Sequence, residues 1–278
     1  MIKALIFDID GTLLNSERKI SPKTKEVLIK CVEKGYKLFF ATARPPLLDR
    51  MASWNDDAYT KEQVLSIFHG GLYYNGGCVK IGEYKDYIFI SDEIVHKAIC
   101  CVQNYDNLNI ALQSEGEKHS FRFPLEDNNY KNWGIIASES LTLNQGRKLK
   151  TIKIFVFYSN LIDSVSPLED CLVSSLKDIC EGNAQFYLTD RGTSVQIMGK
   201  SISKLTGIEK IRNKLGYKKN EIAVFGDDFN DIEMLSEYPF SVAMGNAEAQ
   251  VKAVAKYVTL DNDNDGIYEA IYNILKLM

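Results

Sequence analysis

Several common signatures are missing from this 278-residue chain. No cluster of lysines and arginines marks a face for nucleic acid or for a membrane surface, and the net charge is -4. No apolar run is long enough to span a bilayer, and no basic segment followed by a long apolar stretch precedes the first strand, so a cytoplasmic protein is expected. The six cysteines, Cys31, Cys78, Cys100, Cys101, Cys171 and Cys180, include no C-x-x-C pair and most lie within apolar patterns. They read as reduced, buried thiols and not as a disulfide frame or zinc site. A G-x-x-x-x-G-K-[ST] loop is absent, which argues against a P-loop nucleotide mechanism. So is a G-x-S-x-G elbow, which argues against an α/β-hydrolase.

What is present is a globular composition, 45% hydrophobic and 25% charged, sized for one large domain or two ordinary ones. Ala4 to Phe7 is a continuous apolar run, the pattern of a strand buried on both faces in a parallel sheet. It leads into Asp8, Ile9, Asp10, Gly11 and Thr12. On an extended segment Asp8 and Asp10 share one side, where two carboxylates repel unless a cation or proton lies between them. Ser21 and Pro22 then read as a helix start, Val27, Leu28, Cys31 and Val32 as its apolar stripe, and Gly35 as its end. Lys37 to Ala41 is a second buried strand, completing a β-α-β unit with parallel strands. It ends in Thr42, Ala43, Arg44 and Pro45, at the strand end where open α/β sheets bind ligands.

From Leu72 the texture changes. Leu72 to Tyr74, the turn Asn75-Gly76-Gly77 and Cys78 to Ile81 read as a β-hairpin. Residues 82 to 198 alternate strand and helix patterns without repeating the opening unit, as in an inserted α+β domain. The parallel pattern resumes with a helix opening at Lys204 and a strand at Glu221 to Phe225 that runs into Gly226-Asp227-Asp228-Phe229-Asn230-Asp231. The predicted architecture is α/β, a Rossmann-like parallel-sheet core over 1–81 and 199–278 with an α+β cap over 82–198. Asp261-Asn262-Asp263-Asn264-Asp265-Gly266 matches half of an EF-hand loop, but Tyr272 stands where the bidentate glutamate belongs. It reads as a polar loop capping the last helix.

Acidic groups at two strand ends, with few nitrogens or thiolates, favour Mg²⁺ over zinc. A lysine, a threonine and an arginine beside them supply what phosphoryl transfer asks for. In these terms D-I-D-G-T-L-L at 8–14, A-T-A-R-P at 41–45, S-K at 203–204 and G-D-D-F-N-D-I-E-M-L at 226–235 resemble the four ordered motifs of the haloacid dehalogenase-like phosphatases. S-V-A-M-G-N-A at 241–247 and D-N-D-N-D-G-I at 261–267 are similar to the Cof-type branch, whose cap lies between the second and third motifs.

The resemblance implies a phosphoric monoester hydrolase that uses Mg²⁺ and passes through an aspartyl phosphate. Its substrates would be small phosphorylated metabolites, sugar phosphates first, with no nucleic-acid or membrane partner and a monomer or weak homodimer as the assembly. It makes Asp8 the nucleophile and Asp10 the acid and base. Thr42, Lys204, Gly11 and Thr12 would hold the phosphoryl group. Asp8, the Asp10 carbonyl and Asp227 would bind the metal, with Asn230, Asp231 and Arg44 in support. Gln196, Gly199, Ser201, Leu205 and Ala43 depart from the family's usual residues, around the cap hinge and beside Thr42. In the cap, His119, Arg122 and Tyr130 either reach a substrate or, more simply, lie on the surface of a sheet. The rival functions are a sugar phosphomutase and a phosphoryl-ligand sensor without turnover.

Overall fold

The computed structural model describes residues 1–51, 54–159 and 166–278. In chain order its strands begin with β1 (Ala4–Phe7), β2 (Lys37–Ala41), β3 (Gly70–Tyr73), β4 (Cys78–Ile81) and β5 (Tyr84–Tyr87). The next are β6 (Leu108–Ser114), β7 (Lys118–Phe121), β8 (Leu141–Thr142), β9 (Thr151–Tyr158), β10 (Ala184–Thr189) and β11 (Ser194–Gly199). The last are β12 (Ile222–Gly226), β13 (Phe240–Ala243) and β14 (Tyr257–Val258). They form an eight-stranded sheet ordered β14-β13-β12-β1-β2-β3-β4-β5 and a six-stranded sheet ordered β10-β11-β9-β6-β7-β8.

In the first sheet every neighbouring pair from β14 to β3 is parallel, and β3 and β4 form the expected antiparallel hairpin. The α/β expectation holds. All four residues of β1 are buried, because the strand has a neighbour on each side: Phe7 lies opposite Phe40 of β2 and Phe225 of β12. The crossover helix Pro22–Glu33 is capped by Ser21, whose side chain accepts from Thr24 N, and it buries Val27, Leu28 and Cys31. Chain order reverses across β1, which puts the carboxyl ends of β12, β1 and β2 side by side at a topological switch point.

The chain divides into two compact units, one of Met1–Arg44, Ala52–Asp86 and Ser203–Met278, the other of Pro45–Met51 and Tyr87–Ile202. The expected boundaries after 81 and 198 therefore move. β5 continues the first sheet beyond β4, which carries 82–86 with the first unit, and 199–202 fall with the second. Pro45–Met51 also joins the second unit: Leu47 packs against Gly134, and Arg50 is paired with Glu139.

The six-stranded sheet is antiparallel except where β7 meets β8. Alternation gives it two faces. Ile110, Leu112, Ile154, Val156, Val195 and Ile197 pack with residues of the helices Asp92–Val102 and Asp170–Cys180. Ala111, Phe121, Phe155 and Phe157 form the other cluster with Tyr130, Trp133 and Ile135. The three singled-out residues of this unit are not side chains on the surface of a sheet. His119 is wholly buried, with Trp133 of the 3-10 segment Asp127–Trp133 edge-on to its ring, and Tyr130 of the same segment is itself nearly buried, while the Arg122 guanidinium is spent on the carbonyls of Val102, Tyr105 and Leu108 at 2.7 to 3.2 Å. These carbonyls end and follow the helix Asp92–Val102, where a cation satisfies unpaired acceptors.

Two smaller expectations change as well. Cys31, Cys78 and Cys180 are buried, but Cys100 and Cys171 are exposed because their helices turn those positions to solvent. In the polar loop before the last helix, the Asp261 carboxylate caps the turn Asn262–Asn264 and not the helix beginning at Gly266, and Asp263 and Asp265 accept from Ser16 N and Ser21 Oγ. Its acids fasten the loop that follows β1.

Candidate active site

Lys204 is a cation buried in the first unit. Ser203 caps its helix, accepting from Thr206 N, and so fixes Lys204 as the first helical residue, 1% exposed. Its Nζ donates to Asp8 Oδ1 and to Asp231 Oδ1, both at 2.7 Å. Asp8 follows the last residue of β1, and its own N–H donates to Phe225 O at 2.9 Å, which ties it to β12. Asp231 is wholly buried, and its second oxygen accepts from the amides of Asp227 and Asp228 at 3.0 and 3.1 Å. One ammonium thus joins residues 8, 204 and 231.

Asp227 is held from two sides. Thr12 Oγ1 donates to its Oδ1 at 2.6 Å, and Asn246 Nδ2 donates to its Oδ2 at 3.2 Å and to Gly11 O at 2.9 Å. Gly11 has φ +79, and a Cβ there would lie 2.1 Å from Asp227 Oδ2, so both backbone shape and space require glycine. The Thr12 hydroxyl, expected on the phosphoryl group, instead orients Asp227. Asn246 received no role from the sequence; the signal was a polar residue just after the end of β13, in the G-N of the 241–247 stretch.

The Asp8 and Asp10 carboxylates are held by different cations, Lys204 and Arg44. The strand ends at Phe7, and each carboxylate has its own partner. Arg44 donates Nε to Asp10 Oδ2 at 2.8 Å and Nη2 to Asp10 Oδ1, a bidentate pair in which Arg44 is buried and the Asp10 side chain 58% exposed. Thr42 is wholly buried, and its Oγ1 accepts from Arg44 N at 3.1 Å. Asn230 is exposed and donates to Asn75 Oδ1 at 3.3 Å.

Burial pushes the Asp8 carboxyl well above the usual carboxylate range, Lys204 pulls it down, and Asp231 and Asp227 push it up again. Burial likewise pushes Asp227 up to about 6, against the Thr12 hydrogen bond. Burial alone would lower the Lys204 ammonium, but Asp231 and Asp8 together raise it above the ordinary lysine value. Three carboxylates around one ammonium leave surplus negative charge. Oxygens of Asp8, Asp227 and Asp231 lie within 4.8 Å of one another, a hard-oxygen donor set that fits a divalent cation of the magnesium type. Asp231 is wholly buried and gives one oxygen to Lys204 and the other to two amides, whereas Asp227 is only half-buried, which leaves Asp8 and Asp227 as the carboxylates best placed to hold it.

Residues 5–271 match the family model of the haloacid dehalogenase-like hydrolases. The chain belongs to that family. A 5-amino-6-(5-phospho-D-ribitylamino)uracil phosphatase of Bacillus subtilis is 24% identical over 271 residues, 97% of this chain and 94% of its own length. A phosphoglycolate phosphatase of Archaeoglobus fulgidus is 25% identical over 269 residues, 97% of this chain and 95% of its own. Among solved structures, a sugar phosphatase of subclass IIB in this family superposes with a TM-score of 0.75 at 26% identity, over 99% of both chains. The expected enzyme class for this hydrolase, a phosphoric monoester hydrolase, stands. Among the described residues no helix is long and apolar enough to cross a membrane.

Proposed function

We propose that this hydrolase is a Mg²⁺-dependent phosphatase of small phosphorylated metabolites, sugar phosphates foremost, acting through an aspartyl phosphate on Asp8. The observation that carries the reading is the Lys204 ammonium 2.7 Å from both Asp8 and Asp231, with Asp227 alongside. A dianionic phosphate cannot approach such carboxylates unless cations reverse the local field. Lys204 supplies one of them. Asp8 and Asp227, with the Asp10 carbonyl, would hold Mg²⁺, which supplies charge neutralisation on the phosphoryl oxygens.

In the first step an Asp8 oxygen bonds to phosphorus as the ester oxygen leaves, and Asp10 gives that oxygen its proton. In the second, Asp10 takes a proton from water, which attacks phosphorus and frees Asp8. Arg44 orients Asp10 through the bidentate pair, and its Nη1 is buried without a partner among the described residues, which supports Arg44 as a further contact for a phosphoryl oxygen. Thr42 and the backbone of Gly11 and Thr12 complete the phosphate cradle. The second unit, inserted between the second and third motifs, is proposed as the cap that sets specificity.

The test is release of inorganic phosphate from p-nitrophenyl phosphate and from a panel of sugar phosphates, with and without Mg²⁺. Asp8→Asn, isosteric and without a nucleophilic carboxylate, is expected to lower kcat by on the order of 10³-fold or more. Normal turnover by this variant would end the proposal. Return of labelled phosphate to a second sugar position, and not to water, would make the enzyme a mutase.

A further inference from the structure

The connection between β3 and β4, Tyr74-Asn75-Gly76-Gly77, has the composition of an ordinary hairpin turn. Its backbone is unusual. Three consecutive residues have positive φ, Tyr74 at 52°, Asn75 at 54° and Gly76 at 101°. Asparagine tolerates this region and glycine favours it, but a tyrosine is sterically disfavoured there. Such a conformation persists only where the surroundings over-determine it.

Those surroundings are the motif segments. Tyr74 N donates to Arg44 O at 3.0 Å and Asn75 N to Thr42 O at 2.9 Å, so the turn is stitched to the strand end that carries Thr42 and Arg44. On another side, Gly76 packs against the start of the Lys204 helix: a Cβ added to it would lie 2.3 Å from Ser203 O. From its third side, Asn75 Oδ1 takes the hydrogen bond from Asn230 Nδ2. One strained turn therefore touches the second, third and fourth motif segments.

We infer that Asn75 and Gly76 are positioning residues for phosphoryl transfer. Gly76 sets how closely the Lys204 helix approaches the Thr42 strand end, and Asn75 holds Asn230 in place through its carboxamide while allowing the left-handed backbone. This deepens the phosphatase reading and rests on it. No substrate contact is assigned to either residue; they act through Lys204 and Asn230.

The experiment measures kcat and KM for p-nitrophenyl phosphate with Mg²⁺. Asn75→Gly keeps the backbone conformation and removes the carboxamide; kcat should fall about tenfold while KM stays within about twofold. In an Asn230→Ala background the same substitution should have no further effect, because its route is already cut. Gly76→Ala must push the Lys204 helix away, and kcat should fall about a hundredfold with the far-UV circular dichroism unchanged. If Gly76→Ala does not fold, the Asn75 and Asn230 pair still decides. Asn75→Gly turning over at the wild-type rate, or losing as much with Asn230→Ala as without it, overturns the inference and leaves the phosphatase reading intact. A wild-type enzyme that releases no phosphate removes both.

Discussion

At the carboxyl ends of β1 and β12 the buried charges are paired: Asp8 and Asp231 with Lys204, and the buried Arg44 with the exposed Asp10. The six-stranded sheet also buries polar side chains, but it treats them differently. Gln113 Oε1, Ser114 Oγ, Ser120 Oγ and Thr151 Oγ1 are buried and have no partner among the described residues, and His119 is buried as a neutral ring. The first arrangement stores charge that must be compensated, which is costly to hold and useful for moving a phosphoryl group. Apart from the buried Lys153, the second stores neutral dipoles, each a small cost tolerated inside a well-packed sheet. The contrast separates residues kept for chemistry from residues kept by packing.

The sharpest way to break this contrast is Lys204→Met. The side chain keeps its length and loses its charge, so Asp8 and Asp231 are left facing one another without an ammonium. Breaking a buried pair of this sort costs about 3–5 kcal/mol, and urea unfolding should show a loss of that size together with lost turnover. A loss under about 1 kcal/mol would mean that the carboxylates discharge by taking up a proton, and that the ammonium is not what holds the site together.

The site was legible in the sequence because each of its groups follows an apolar run. Asp8 after Ala4–Phe7, Thr42 after Lys37–Ala41 and Asp227 after the β12 run are placed by strand ends alone, and the capped helix start places Lys204. The partners of these groups were not legible. That Thr12 serves Asp227, that Asn246 reaches Gly11, and that Tyr74 adopts a left-handed backbone depend on approaches between segments up to 235 residues apart. The inserted unit was harder still. Period-two alternation places His119 on one face of β7, but its burial comes from the 3-10 segment Asp127–Trp133, whose polar composition reads as a surface loop. The Trp133 ring, edge-on to His119 at 5.8 Å and to Phe121 at 5.1 Å, and the Tyr130 ring, edge-on to Phe121 at 6.0 Å, show what that segment covers.

His119 tests the neutral side of the comparison. Glu117 O can only accept, so His119 Nδ1 carries the proton and Nε2 accepts from Gln113 Nε2 at 3.0 Å. Burial lowers the ring from its ordinary 6.5 to about 4, despite the Glu117 carbonyl. A depressed histidine favours the unfolded chain once protons are available. Its contribution is fully present above about pH 6.5 and is lost as pH falls towards 4. Between pH 7 and pH 5 the wild type should lose about 2 kcal/mol more stability than His119→Gln, which cannot titrate. Equal losses would show that the ring takes up its proton without leaving the core.

The smallest effect tests whether the unpartnered hydroxyls are only tolerated. Thr151 lies across from Ser114 in the β6–β9 pairing, with its Oγ1 buried and unpartnered among the described residues. Thr151→Val replaces that hydroxyl by a methyl of nearly the same volume, removing an unsatisfied dipole without opening a cavity. Thermal unfolding should therefore show a change between zero and about 1 kcal/mol in the stabilising direction, with kcat unaltered. A loss above about 1 kcal/mol would mean that the hydroxyl is satisfied by an internal water. Ser114 and Ser120 would then have to be counted with it as one hydrated polar network, and the two sheets would differ only in charge.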